Sequence, residues 1–265
     1  MLNDKILGLT TLLDVLLVLL FLIFLVTKKE AVLKAAWLLL YATFAIHTAG
    51  ILVRWRESYL LGTPHAPLSN LYESLIFYAW CLLLIQIVMR KVLPPLLLLC
   101  LCAAALFFMG FSSLWPSTIQ PLIPALQSNW LHIHVLTCFL AYAAFAISFF
   151  CGIFYFLHLP FMPSKDALEE INYRSVMVGF PMLSAGILTG AVWASYAWGS
   201  YWSWDPKESW SLITWIVYAI FLHARYARGW TGRRVAFLSI IGFASVIFTY
   251  FGVNFVLSGL HSYAS

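Results

Sequence analysis

Long apolar runs separated by short polar breaks set the pattern of this chain. Runs long enough to span a bilayer, allowing ~20 residues per helix, fall at about 8–27, 35–53, 71–89, 94–111, 134–157, 176–194, 207–224 and 235–257. Only a helix satisfies its own backbone in lipid over such a run, so the pattern predicts an all-α integral membrane protein. The economical arrangement is a bundle of about eight transmembrane helices. Pro94-Pro95 divides the third run from the fourth and predicts a tight hairpin there. Asn70 followed by Glu73 predicts a capping box at the head of the third helix. No internal repeat or composition shift marks a second domain, which predicts a single polytopic membrane domain over 1–265. Asp4 and Lys5 precede the first run and no small-residue cleavage site follows it, so it reads as a retained span.

The longest polar interruption with internal order is Trp198-Gly-Ser-Tyr-Trp202-Ser-Trp204-Asp205-Pro-Lys-Glu208-Ser-Trp210, which holds four of the chain's twelve Trp. Asp205 is a good N-cap, Pro206 suits the first helical position and Glu208 completes a capping box, so a helix is predicted to start at Pro206. Trp198 to Trp204 then form a shelf ahead of it. Such a shelf serves either as an aromatic belt at the bilayer surface or as a wall for a flat apolar ligand.

Composition supports the membrane assignment: 63% of residues are hydrophobic and only 9% charged, with a mean hydropathy of +0.91. The net charge of +5 comes from an uneven distribution along the loops rather than from a basic tract, which argues against nucleic acid as a partner. Eleven of the fifteen Lys and Arg follow the odd-numbered runs, leaving Lys5, Arg54, Arg56 and Lys207 on the other side. The positive-inside rule then places both termini and the Trp-rich loop outside the cytoplasm. The five Cys (Cys81, Cys100, Cys102, Cys138, Cys151) lie in apolar runs without Cys-x-x-Cys spacing, so they read as small buried hydrophobes.

Four of the seven His bear on function. His134 opens the fifth run and His261 follows the eighth, both on the face that carries the Trp shelf. Each is either an interfacial His bonding a loop carbonyl or one of two axial ligands of an iron porphyrin. His132 competes with His134, but a separation of two turns them to nearly opposite sides of a helix. His47 and His223 lie within runs, where ionisable side chains are costly and are functional candidates by default.

These residues match a known pattern. The stretch 198–210 resembles the tryptophan-rich WWD motif of heme-handling proteins, and its Pro-Lys-Glu ending resembles the CcsA (ResC-type) branch of System II cytochrome c biogenesis. Pro67-Leu-Ser-Asn-Leu-Tyr-Glu-Ser74 after His65, His134-Val ahead of Ala141-Tyr-Ala-Ala-Phe145, His223-Ala-Arg with Gly229-Trp-Thr-Gly-Arg-Arg234, and Gly259-Leu-His-Ser-Tyr263 are also similar to that family. The CcmC proteins of System I share the Trp motif but are less similar in span number and in the motif's ending.

The resemblance implies heme delivery to the extracytoplasmic face of a bacterial inner or thylakoid-type membrane. Heme b would be presented there to the CxxCH motif of apocytochrome c for thioether formation, a holocytochrome c synthase-type activity. It implies His134 and His261 as the external iron ligands and working residues. Trp198, Gly199, Tyr201, Trp202, Trp204, Asp205 and Trp210 would cradle the macrocycle. His223 would belong to an intramembrane heme site, with His47 as its first-choice partner and His65 the second. A CcsB (ResB-type) subunit would supply the large extracytoplasmic domain, with membrane lipid around the bundle. On residue chemistry, Lys207 or Arg54 is suited to meet a heme propionate. The alternatives are a heme exporter or sensor without synthase activity, and a non-heme, quinone-type membrane binding protein.

Overall fold

A computed structural model describes residues 1–157 and 162–257. The helices in chain order are α1 (Leu2–Thr27), α2 (Glu30–Leu60), α3 (Leu71–Val88), α4 (Pro95–Ser112), α5 (Asn129–Phe156), α6 (Lys165–Trp198), α7 (Pro206–Ala227), α8 (Arg233–Ile247) and α9 (Val253–Val256). A 3-10 turn at Pro124–Leu126 precedes α5, and a π turn over Phe248–Gly252 joins α8 to α9. No strand occurs among the described residues. Among the described residues seven stretches are long and apolar enough to cross a bilayer: α1 to α6, and the run Arg233–Val256. The chain is therefore a multi-pass helical membrane protein. α7 is not one of the seven; Ser209, Ser211, Thr214, Tyr218 and His223 dilute its apolar content.

The helices form two compact units, Met1–Gln127 and Ser128–Ser265. In the first, α1 pairs with α2 and α4, and α3 with α4. Pro94-Pro95 behaves as the sequence predicts: α3 stops at Val88 and Pro95 takes the first position of α4. The capping box at α3 forms only in half. Asn70 Oδ1 accepts the Glu73 backbone N–H at 2.9 Å, but the Glu73 carboxylate turns elsewhere. It accepts Ser69 N–H and Oγ–H, each at 2.8 Å, and the Arg54 guanidinium at 2.9 Å. A buried cation outbids the reciprocal cap, because leaving Arg54 unpaired in the interior costs far more than a missing cap bond.

In the second unit, α5 runs against α6 and α8, and α7 against α6 and α8. Its middle is a stack of rings and glycines. Phe145 of α5 lies flat on Tyr218 of α7 (centroids 3.6 Å, interplanar angle 8°). Gly179 of α6 lies directly against the Phe145 ring, and Gly242 of α8 directly against the Tyr218 ring. A hydrogen-bonded clamp reinforces this packing: Ser148 Oγ donates to Asn172 Oδ1 (2.7 Å), and Asn172 Nδ2 donates to Ser239 Oγ (3.1 Å). Buried polar bonds between helices add to van der Waals packing where lipid offers no hydrophobic drive.

Candidate functional site

The Trp-rich loop is fixed at both ends by local chemistry. α6 ends at Gly199, whose φ of 80° is the left-handed conformation that a glycine adopts without strain. α7 starts at Pro206 with the predicted capping box. Asp205 Oδ1 accepts Lys207 N–H at 2.9 Å, and Glu208 Oε2 accepts Asp205 N–H at 3.3 Å and Ser203 N–H at 2.7 Å. One carboxylate thus ties down the loop as well as the helix start.

Between these anchors the aromatics diverge. Tyr201 and Trp204 face outward (64% and 69% exposed), and Trp204 meets Trp202 edge-on at 5.8 Å. Trp204 also holds φ 60°, an uncommon conformation for a bulky residue that persists only where neighbours enforce it. Trp198 turns inward and meets Trp193 edge-on at 5.0 Å. Trp210 packs on Phe248 of the π turn, with centroids 4.1 Å apart. The shelf is therefore not one flat surface: an outer pair (half-buried Trp202, exposed Trp204) and an inner pair (buried Trp193, half-buried Trp198) lie on either side of Gly199.

The inner pair leads to His134, which sits in the second turn of α5. Its ring stacks on Trp193 (6.0 Å, 23°), and its Nδ1 is 2.7 Å from the carbonyl of Gly186 on α6. A carbonyl only accepts, so Nδ1 carries the proton and donates, leaving the lone pair of a neutral ring on Nε2. Gly190 provides the room: a Cβ there would lie 2.5 Å from His134 Nδ1. Cys138, one turn along α5, places its sulfur 3.7 Å from the same nitrogen.

Lys207 lies at the head of α7, and its ammonium donates to Asn254 Oδ1 of α9 at 3.1 Å. The beginnings of α5 and α7, the end of α6, and α9 thus gather at one end of the second unit. His261 lies outside the described residues.

His223 is placed differently. It lines an apolar groove of ≈ 570 Å³ along α7 with Trp215, Ile216, Ile220, Arg228 and Trp230, a volume in the range of about 300–1,000 Å³ usual for small-molecule sites. Trp215 is held in the wall by donating to Ser184 Oγ at 2.8 Å. His47 belongs to the first unit and is fully enclosed (0% exposed). His65 is also buried there, with Nδ1 2.7 Å from Thr63 O and Nε2 4.0 Å from Glu73. Arg54 spends its guanidinium on Glu73 and on Ser117 O (2.8 Å), so it is committed inside its unit rather than open to an anion.

Sequence reasoning passed over Trp193, Gly186 and Gly190. Trp193 reads as one more apolar helix residue, but Gly186-x-x-x-Gly190 is a small-x-x-x-small pattern that marks a close helix approach.

The fold and this site define a class: a polytopic helical membrane protein in which a capped, Trp-rich loop joins two helices beside a histidine of fixed tautomer. A family profile described as Cytochrome C assembly protein matches residues 68–261. The chain is 43% identical over 233 residues to the cytochrome c biogenesis protein CcsA of Chlamydomonas reinhardtii, covering 80% of this chain and 64% of that one. It is 42% identical to the CcsA of Guillardia theta (79% of each chain) and 38% identical to that of Synechococcus sp. strain CC9605 (82% and 83%). Among solved structures the cytochrome c heme lyase CcmF superposes with a TM-score of 0.68 over 94% of this chain and 46% of its own. At 21% identity that likeness is one of fold. The chain belongs to the cytochrome c assembly protein family, and within it to the CcsA proteins.

Proposed function

We propose that this chain works in cytochrome c biogenesis as a heme-handling subunit, holding heme b at the extracytoplasmic face for thioether attachment to the CxxCH motif of apocytochrome c. The observation that carries the reading is His134, whose Nδ1–H is engaged by Gly186 O while Trp193 backs the ring. Metal-binding imidazoles are typically oriented by such a bond, which sets the tautomer and raises the basicity of the other nitrogen. His261 is the proposed second ligand.

Heme here is cargo. Iron held through imidazole alone is reversibly bound, so the incoming cytochrome's own His can displace one ligand. Trp204 and Tyr201, exposed between the Gly199 turn and the Asp205–Glu208 cap, with Trp202 edge-on behind Trp204, give the macrocycle an aromatic wall and shed water from its face. Trp198 and Trp193 carry that wall back to His134. The protein's contribution to the reaction is then largely positional, keeping vinyl group and cysteine thiol in register.

His223 has the surroundings of a second heme position: an apolar, Trp-walled groove with one imidazole and, at Arg228, one cation suited to a propionate. His47 is fully enclosed within its unit, so the second position rests on His223. A CcsB (ResB-type) subunit supplies the extracytoplasmic domain in this reading.

The test is co-expression, in cells lacking their own maturation system, of this chain, a ResB-type subunit and a c-type apocytochrome. Covalent heme is read by peroxidase staining on denaturing gels. Holocytochrome should form and should fall at least tenfold with Trp202→Ala plus Trp204→Ala. Heme bound to the chain without any holocytochrome would instead favour the exporter or sensor reading.

A further inference from the structure

The first unit carries an apolar surface that the heme reading leaves unused, at the end where α1 starts and α2 finishes. α2 has 31 residues, which makes it ~46 Å long at 1.5 Å per residue. That length matches the ~40–45 Å of a bilayer with its headgroup layers rather than the ~30 Å of its hydrocarbon core. Exposed positions recur along it every three or four residues, from Leu38 through Ala45 and Leu52 to Trp55 and Tyr59. One lipid-facing stripe therefore runs into the last turn of the helix, where Leu60 is exposed as well.

The loop that follows α4, residues 113–127, is tied to this part of α2. Arg54 lies six residues, ~9 Å of helix axis, before the end of α2. Its buried guanidinium is braced by Glu73 of α3 at 2.9 Å and by Asn3 Oδ1 at 3.4 Å. From there it donates to Ser117 O at 2.8 Å. The loop is thus drawn back along the helix toward the level where headgroups meet acyl chains, instead of standing off the helix end.

The loop's chemistry suits that level. No Asp, Glu, Lys or Arg occurs between Lys91 and Lys165, so the loop is free of charge. Leu114 and Ile123 point away from the bundle, 73% and 61% exposed. Pro116, Pro121 and Pro124 bring no backbone N–H that would need a partner. Among the described residues, the stretch from Pro116 to Leu122 makes no backbone–backbone hydrogen bond. Its carbonyls exclude it from the hydrocarbon core, where open polar backbone is not tolerated. Its apolar side chains favour leaving water. Both demands are met at the headgroup–acyl boundary, the depth that interfacial segments occupy.

We propose that residues 113–127 form an interfacial collar that inserts Leu114 and Ile123 into the headgroup–acyl boundary of the leaflet at this end, continuing the lipid-facing stripe of α2 and tethered through Arg54. The partner is the bilayer surface itself. A loop without charge binds it through apolar burial, so the insertion does not distinguish zwitterionic from anionic lipid.

Spin labelling of the full-length protein in nanodiscs tests this, with nitroxides at Leu114→Cys and Ile123→Cys and the parent as the background for its own five cysteines. Both positions are exposed, so a label there leaves the packing intact. Collisions with oxygen, which concentrates in the bilayer, should exceed those with a water-soluble nickel chelate at both positions. The ratio should be the same in phosphatidylcholine and phosphatidylglycerol nanodiscs, and the same with or without a ResB-type subunit. Nickel-dominated collisions at either position would place the loop in water and overturn the proposal. A ratio that rises only in anionic lipid would overturn the apolar mode of binding. Labels shielded from both reagents only when the ResB-type subunit is present would overturn it in favour of a protein contact.

Discussion

His134 owes its orientation to a glycine on the neighbouring helix. The ring fits against α6 only because Gly190 lacks a side chain, and it is aimed by the Gly186 carbonyl. Gly190→Ala is expected to push the ring off that carbonyl, since the new Cβ would lie 2.5 Å from Nδ1. The fold should survive, because an imidazole near a helix start can move. The expected outcome is a shifted or weakened heme spectrum that mimics His134→Gly, with normal expression; Gly8→Ala, where nothing lies within 4 Å of the added Cβ, is the control. Gly190→Ala with a parental spectrum would mean that the Gly186 bond does not orient the ligand.

At the level of elements, the start of α7 was legible because its causes lie within four residues: Asp205, Pro206 and Glu208 act on each other's backbone. The box at α3 uses the same residue logic, yet its return bond is lost to Arg54, nineteen positions away, which spacing alone does not reveal. The same limit hid the contact of Trp198 with Trp193 along α6, and the seat of Trp210 of α7 on the π turn at Phe248–Gly252, a product of ring packing between helices. The Gly179–Phe145–Tyr218–Gly242 stack is another such product, and it ties α5 to α8 together. Gly242→Ala would bring a Cβ to 2.7 Å from Tyr218 Cζ. Overpacking of this kind costs about 1–3 kcal/mol. Thermal unfolding in detergent should therefore show a lowered midpoint for Gly242→Ala, and an unchanged midpoint would mean that the stack relaxes freely.

At the scale of the whole molecule, apolar run length was enough to give an all-helical, multi-pass protein and the order of its helices. Family membership followed from the Trp-rich stretch and the motifs around it. The division into two compact units was not legible, because no linker or change of composition marks residue 127. The division carries consequences for function: the Trp loop, His134 and the His223 groove belong to the second unit, while His47, His65 and Arg54 belong to the first. The central claim is that the second unit holds heme through His134 beside the Trp loop. The most direct measurement is the absorption spectrum and pyridine hemochrome of the detergent-purified protein from heme-replete cells, with His134→Gly beside it. The account predicts a low-spin b-type spectrum in the parent, altered in the variant and restored by added imidazole. A heme-free parent, or a His134→Gly spectrum identical to the parent's, would contradict it.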